Sequence, residues 1–205
     1  LEPKTKKGMQ TRDKLLSSAE YIFGNYGYHQ ASITEITQRA GVSLGSFYNY
    51  YESKYQIFED LLWRMQNELI KFIKQRTETA DDRIKVEREG FKALFMFLEE
   101  RPYWYSLFPQ AEFVDKELHQ KLFSKFTNSY MKRLKKSLDN GEIRPINVEL
   151  LVHCFMGIAN YLGMKWVLWD QREINDELID ELMAFIKIGI MNNDEQCDNC
   201  TSMFL

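Results

Sequence analysis

The stretch YHQASITEITQRAGVSLGSFYNYYESK, residues 28–54, holds two short amphipathic segments separated by a single glycine. Ser32 opens the first segment, where its hydroxyl is suited to accept a free backbone N–H, and Glu35 three residues on completes a capping box. Ile33, Ile36 and Ala40 give this segment an apolar face at helical spacing. Gly41 ends it where the chain must turn with positive φ. Val42 then acts as a plug, and Ser43 caps a further helix ending near Tyr51, with Phe47 and Tyr51 as its core residues. Two short helices joined by a glycine turn have the layout of a helix-turn-helix. The second must enter a major groove about 12 Å wide by its N-terminus, and Gly45 and Ser46 supply a slim tip there. Free N–H groups and the helix dipole at Ser43 favour a nearby phosphate.

Working outward, Leu15, Leu16, Ala19, Ile22 and Phe23 predict an amphipathic helix from about Thr11 to Asn25, closed by Gly24 and Gly27. After the motif, Glu52-Ser53-Lys54 opens a long helix to about Gln75, striped by Ile57, Phe58, Leu61, Leu62, Met65, Leu69, Phe72 and Ile73. Longer, more aromatic helices are predicted over Asp81–Glu100, Val114–Asn140, Asn147–Asp170 and Asn175–Asn193, broken at Arg101-Pro102 and at Gly141–Pro145. The expectation is an all-α chain. A helix-turn-helix head over 1–54 joins a larger helical body over 55–193, and 194–205 forms a flexible tail.

Composition agrees. With 44% hydrophobic residues a packed core is within reach, and only 4 prolines and 10 glycines interrupt 205 residues, which favours long helices over many short strands. The formal net charge of −3 is unevenly spread. Residues 1–54 carry seven basic and five acidic side chains, leaving 27 − 7 = 20 basic and 30 − 5 = 25 acidic beyond them. A basic head on an acidic body suits a protein that touches nucleic acid with one end. Cys154, inside an apolar helix, reads as a buried hydrophobe, whereas Cys197 and Cys200 form a lone Cys-x-x-Cys with no further ligands beside it, so no metal site is expected. Sparse cysteine fits a reducing cytoplasm. The charged start, Leu1–Gln10, does not read as a secretory signal. Leu150–Trp169 is long and apolar enough for a bilayer, yet contains His153, Asn160 and Lys165, and reads as a buried helix with no membrane role.

The same stretch resembles the signature of the tetracycline-repressor (TetR) family: Gly27-Tyr28, the Ser32 cap, Ile36, Ala40-Gly41-Val42-Ser43, Gly45-Ser46-Phe47-Tyr48, Tyr50-Tyr51 and Lys54 all fall in register. The resemblance covers about a quarter of the chain; beyond residue 54 it is one of length and helix content. It implies that Ser32, Tyr48, Tyr50 and Lys54 hold phosphates and fix register, while Ser43, Leu44, Gly45, Ser46 and Asn49 face the groove. Ser32 and Ser43 serve as caps in either case, and Lys54 also reads as an ordinary solvated charge. Leu44 departs from the Lys or Arg common in relatives and offers an apolar contact, for example to a thymine methyl.

The resemblance further implies a homodimer that joins its last two long helices in a four-helix bundle, and release from a palindromic operator by a small effector. Successive residues 100° apart put His153, Met156, Gly157, Asn160 and Met164 on one face of the 147–170 helix. Phe155, Ile158, Leu162 and Trp166 lie opposite. The expected dimer interface is therefore Phe155, Ile158, Leu162 and Trp166 with Leu182 and Phe185 of the following helix. The expected effector site is His153, Met156, Asn160 and Met164 with Phe95, Trp104, Phe108 and Phe126, suited to an apolar or aromatic ligand. The fourth helix is expected to transmit the effect. Nucleophile elbows, phosphate loops and His-Glu-x-x-His pairs are absent from the sequence, so neither an enzyme nor a cofactor is expected. The alternative is a dimeric helical interaction protein of the same fold without DNA reading, to which Leu44 and the acidic total belong.

Overall fold

Residues 5–190 are described by a computed structural model, in which all regular structure is helical. The order is α1 (Lys6–Gln30), α2 (Ile33–Ala40), α3 (Leu44–Phe47), α4 (Lys54–Thr77), α5 (Arg83–Glu100), α6 (Tyr103–Leu107), α7 (Gln110–Val114), α8 (Lys116–Asp139), α9 (Val148–Leu162) and α10 (Asp176–Ile190). A π-helical run, Gly163–Trp169, continues α9. The expected tail with Cys197 and Cys200, and the end of the helix expected to reach Asn193, lie outside the described residues.

Local chemistry explains the boundaries. Thr5 accepts the Gly8 N–H at 3.1 Å and starts α1 ahead of the expected Thr11. Gly27, at φ 78° and ψ 159°, breaks α1 in a conformation that only glycine adopts freely. Ser32 and Glu35 form the capping box at α2, and Gly41 ends that helix in the left-handed region at φ 67°. The α3 helix is shorter than expected, but backbone bonds from Asn49, Tyr50 and Tyr51 to Ser46 and Phe47 carry its turns onward. The chain after Arg101-Pro102, expected only as a break, forms two short helices that each follow a proline, Pro102 and Pro109.

Two apolar cores share α4. Its first turns (Ile57, Phe58, Leu61, Leu62, Met65) pack with Leu15, Leu16, Phe23, Ile36 and Phe47 of the head. Leu69 and Ile73 pack with Phe91, Phe95, Phe155 and Ile179 of the body. The head core also takes in Leu107, Ala111, Leu118 and Leu122 from α6, α7 and α8, so the packing has no seam at residue 54.

The α9 helix is covered on one side only. Leu151, Val152 and Phe155 are buried, while Leu150, Cys154, Gly157 and Tyr161 are exposed at spacings of three and four. Cys154 is thus exposed rather than the buried hydrophobe expected, because nothing in the subunit covers that stripe. On α10, Phe185 and Ile188 are 70% and 72% exposed. Val148–Trp169 is the one helix among the described residues with the length and apolarity to cross a membrane; here it packs against α5 and α8.

Gly24 marks the tightest approach of head to body. A Cβ there would collide with the Tyr103 ring, which Asn25 Nδ2 fixes through a 2.9 Å bond to the phenol oxygen. Gly24→Ala is therefore expected to cost about 1–3 kcal/mol in urea unfolding despite alanine's helix preference. Gly90→Ala, whose Cβ meets only Thr77 Cγ2 at 3.9 Å, is expected to be neutral or to stabilise by up to about 1 kcal/mol.

Candidate DNA-reading head and effector cavity

The tip of α3 is held from beneath and open above. Phe47 and Tyr51 are buried, while Ser43, Leu44, Gly45, Tyr48 and Asn49 face solvent and Ser46 and Tyr50 are half-buried. Ser43 Oγ accepts the Ser46 N–H at 3.1 Å and lies 2.8 Å from the Ser46 hydroxyl. The Val42 N–H bonds to the Thr37 carbonyl at 3.1 Å, which fixes the turn between α2 and α3. Leu44 and Tyr48 are 47% and 53% exposed, large apolar surfaces standing free on a rigid base. A leucine and a tyrosine presented beside serine hydroxyls can touch base edges, thymine methyls and phosphates, the contacts a groove reader needs.

Lys54 turns toward the head's own backbone. Its Nζ donates to the carbonyls of Tyr28 at 2.8 Å, His29 at 3.3 Å and Ala31 at 2.8 Å, and it sits 4.6 Å from the centre of the Tyr28 ring. All three ammonium protons are committed to the turn that follows the Gly27 break. The phosphate role expected for it competes with this capping role: α1 ends without a helical partner for these carbonyls, and Lys54 supplies one. A second brace was not foreseen. Asp60 of α4 takes Arg12 Nη2 at 2.6 Å and the Tyr51 hydroxyl at 2.6 Å, joining α1, the end of the α3 turns and α4. Burial, then Asp60, raises the Tyr51 phenol above its ordinary range, so it remains a donor.

The body encloses a cavity of about 450 Å³ between α4, α5, α6, α7, α8 and α9. Trp104, Phe108, Phe126, His153, Met156 and Asn160 line it, as expected. Phe95 does not: it is fully buried behind Phe91 and packs on Trp166 with ring centres 5.7 Å apart. Met164 does not line it either, since the Tyr105 hydroxyl crosses α9 to donate to the Asn160 carbonyl at 3.1 Å, one turn earlier. Phe155, expected at the dimer interface, instead lines the cavity and packs on Phe91 and Tyr130. Leu182 is likewise buried, and Ile158, Leu162 and Trp166 lean on the subunit's own core. The outward apolar stripe comprises Leu150, Gly157 and Tyr161 of α9 with Phe185 and Ile188 of α10, so only Phe185 of the expected set is freely exposed.

Polar lining residues escaped sequence reading. Arg83, Glu87 and Tyr130 meet at one end of the cavity, with Gln66 elsewhere along it. Arg83 and Glu87 are four apart on a helix, a spacing that usually marks an exposed pair. Gln66 did carry a signal, because it falls in register between Leu62 and Leu69 on the apolar stripe of α4. Its Nε2 donates to the Leu122 carbonyl at 2.5 Å.

One segment belongs to both sites. From α6 and α7, Trp104, Tyr105, Phe108, Pro109 and Glu112 line the cavity. Gln110, between them, accepts the Tyr28 N–H at 2.7 Å and reaches the Phe23 carbonyl at 3.4 Å. The Asp115 carboxylate takes the Tyr55 hydroxyl at 2.5 Å. The cavity wall thus bonds directly to the end of α1 and the start of α4.

An exposed helix-turn-helix tip on a helical body with an apolar cavity defines a DNA-binding transcriptional regulator. The family profile "Bacterial regulatory proteins, tetR family" matches residues 15–61. The HTH-type transcriptional activator FasR of Mycolicibacterium smegmatis is 31% identical over 105 residues, 51% of this chain and 48% of that protein, so the match spans about half of FasR. YdgC of Bacillus subtilis, an uncharacterized HTH-type transcriptional regulator, is 27% identical over 182 residues, 79% of this chain and 84% of its own. Among solved structures, the fatty acid degradation regulator FadR from Bacillus halodurans superposes with TM-score 0.76 at 18% identity, covering 90% and 96% of the two chains. FadR from Bacillus subtilis in complex with stearoyl-CoA gives 0.75 at 18%, covering 85% and 96%. Residues 15–61 thus match the DNA-binding module of the tetR family, and the chain as a whole resembles transcriptional regulators of that family in sequence and fold.

Lys54→Met is expected to lower unfolding stability by about 1.5–3 kcal/mol, since three carbonyls lose a charged donor. The salt slope of DNA binding should stay the same. A slope reduced by about 0.9 with stability intact would return Lys54 to a phosphate.

Proposed function

We propose that this regulator is a homodimeric repressor that leaves a palindromic operator when an apolar or aromatic effector enters the cavity. The observation that carries the reading is the α6–α7 segment, which lines the cavity with Trp104 and Phe108 and holds the head through Gln110. An effector that favours a different position of α6–α7 would shift the head, provided it binds the two arrangements with different affinity. This assigns the transmission to α6–α7 together with α4, rather than to α4 alone.

DNA contact falls to Ser43, Leu44, Gly45, Ser46, Tyr48 and Asn49, with Ser32 and Tyr50 toward the backbone. Dimerisation falls to the exposed stripes of α9 and α10: Phe185 and Ile188 of α10, and an α9 face that includes the small residues Cys154 and Gly157, are apolar surfaces of the kind a two-fold partner covers. Named relatives support repression, among them the repressor KstR2 of Mycolicibacterium smegmatis, 25% identical over 161 residues. The stearoyl-CoA in the Bacillus subtilis FadR structure supports an effector with a long apolar part.

Selection of bound sequences from a random duplex pool tests the reading. Wild type is expected to enrich one palindrome with half-sites about 34–36 Å apart. Tyr48→Ala should lose it with its melting temperature unchanged. Enrichment of no sequence at low salt by a folded dimer would overturn DNA reading. A Phe185→Glu/Ile188→Glu variant is expected to sediment as a monomer and to bind the palindrome at least about a hundredfold more weakly, since it buries two unpaired charges in the proposed interface.

A further inference from the structure

The buried end of the cavity holds an ion pair that is not fully satisfied, with Arg133, an exposed second cation, beside Tyr130 on the same lining. Arg83 and Glu87 pair through Nη2 and Oε1 at 2.8 Å, with side chains only 7% and 5% exposed. The Tyr130 hydroxyl donates to the other carboxylate oxygen, Oε2. Two polar atoms are left over: Arg83 Nε–H has no acceptor, and Glu87 Oε1, poorly aligned with the guanidinium, receives no properly directed donor. Both residues line the cavity. Buried polar atoms without partners are rare in native proteins, and each calls for an occupant.

The shape of the cavity gives a second constraint. Its lining along α4 runs from Gln66 to Thr77, about 17 Å at 1.5 Å per residue. The lining therefore extends over three turns of α4. The Arg83–Glu87 end lies past the far end of that helix, where Thr77 approaches Gly90, one turn from Glu87. Gln66 Oε1 and Trp104 Nε1 are also buried on the lining without partners, again one acceptor and one donor.

Resting on the cavity as the effector site, we propose that the effector is an elongated apolar ligand whose buried end is uncharged and carries a hydroxyl or amide-type group, seated on the Arg83–Glu87 pair. Such a group accepts from Arg83 Nε and donates to Glu87 Oε1, satisfying both with no change in charge. A carboxylate there would face Glu87 and an ammonium would face Arg83, each adding an unpaired charge where water is excluded. Burial holds the Glu87 carboxyl above the usual range, against the opposing pull of Arg83, Tyr130 and Arg133.

The test is calorimetric titration of the full chain at pH 7.5 with four probes of one chain length: decan-1-ol, decanoate, decylammonium and 1-methoxydecane. The alcohol is expected to bind at least about tenfold more tightly than the other three, because only it donates and accepts without charge. In an Arg83→Met/Glu87→Met variant the alcohol should lose that advantage over the ether. Decanoate, decylammonium or the ether equalling or exceeding the alcohol on wild type overturns the hydroxyl seat while leaving the cavity an apolar binding site. Binding of none of the four by a folded chain removes the cavity as effector site, and the seat with it.

Discussion

The backbone turn from Gly27 to Ala31 is the joint on which the molecule depends. Gly27 leaves helical geometry at positive φ and strands the polar groups that end α1. Those groups are recovered from two directions. Lys54, at the start of α4, takes the carbonyls of Tyr28, His29 and Ala31, while Gln110, in the segment whose neighbouring residues line the cavity, takes the Tyr28 N–H. One short turn therefore joins the first helix of the head, the shared α4 and the segment that encloses the cavity. The turn keeps one backbone bond of its own, from the Ala31 N–H to the Gly27 carbonyl at 3.2 Å, and its remaining groups rest on these two holders. That is the property needed where a small movement beside a ligand must move a DNA-reading tip.

Around this joint the rigidity is uneven. The head is fastened by its core and by the Arg12–Asp60–Tyr51 cluster, so α2 and α3 move as a body with the start of α1 and α4. The cavity, by contrast, keeps unpartnered polar atoms and aromatic walls such as the stacked Trp104–Phe108 pair, 4.7 Å apart. Packing there is incomplete by construction, and an occupant that completes it redistributes the body's arrangements. The outward stripe of α9 and α10 leaves a third incomplete surface, apolar and free of charge along α9, that a second subunit would cover.

Much of the head could be read from the sequence because its determinants are local. Ser32 with Glu35, Gly41 and Ser43 act within four residues of themselves, and the structure has each cap and turn where the residue types predict it. The all-α body and its helix count over α4, α5, α8, α9 and α10 followed from apolar periodicity. What periodicity does not carry is which apolar face of α9 turns inward. Both faces are apolar, so Phe155 and Leu182 were expected outside and are inside, whereas Cys154 was expected inside and is outside. Lys54, Gln110 and the Arg83–Glu87–Tyr130 cluster depend on partners 23 to 82 residues away or on burial supplied by other helices. No spacing rule reports such contacts.

On the proposed mechanism, Gln110 holds the head in its operator-binding position through the Tyr28 amide. The most direct measurement is the operator affinity of Gln110→Ala without effector, beside wild type and at matched salt. Losing one half-buried hydrogen bond that positions the head should weaken binding by several-fold to about tenfold, with the dimer intact. Affinity equal to wild type in a folded dimeric variant would show that the bond to the Tyr28 amide does not position the head.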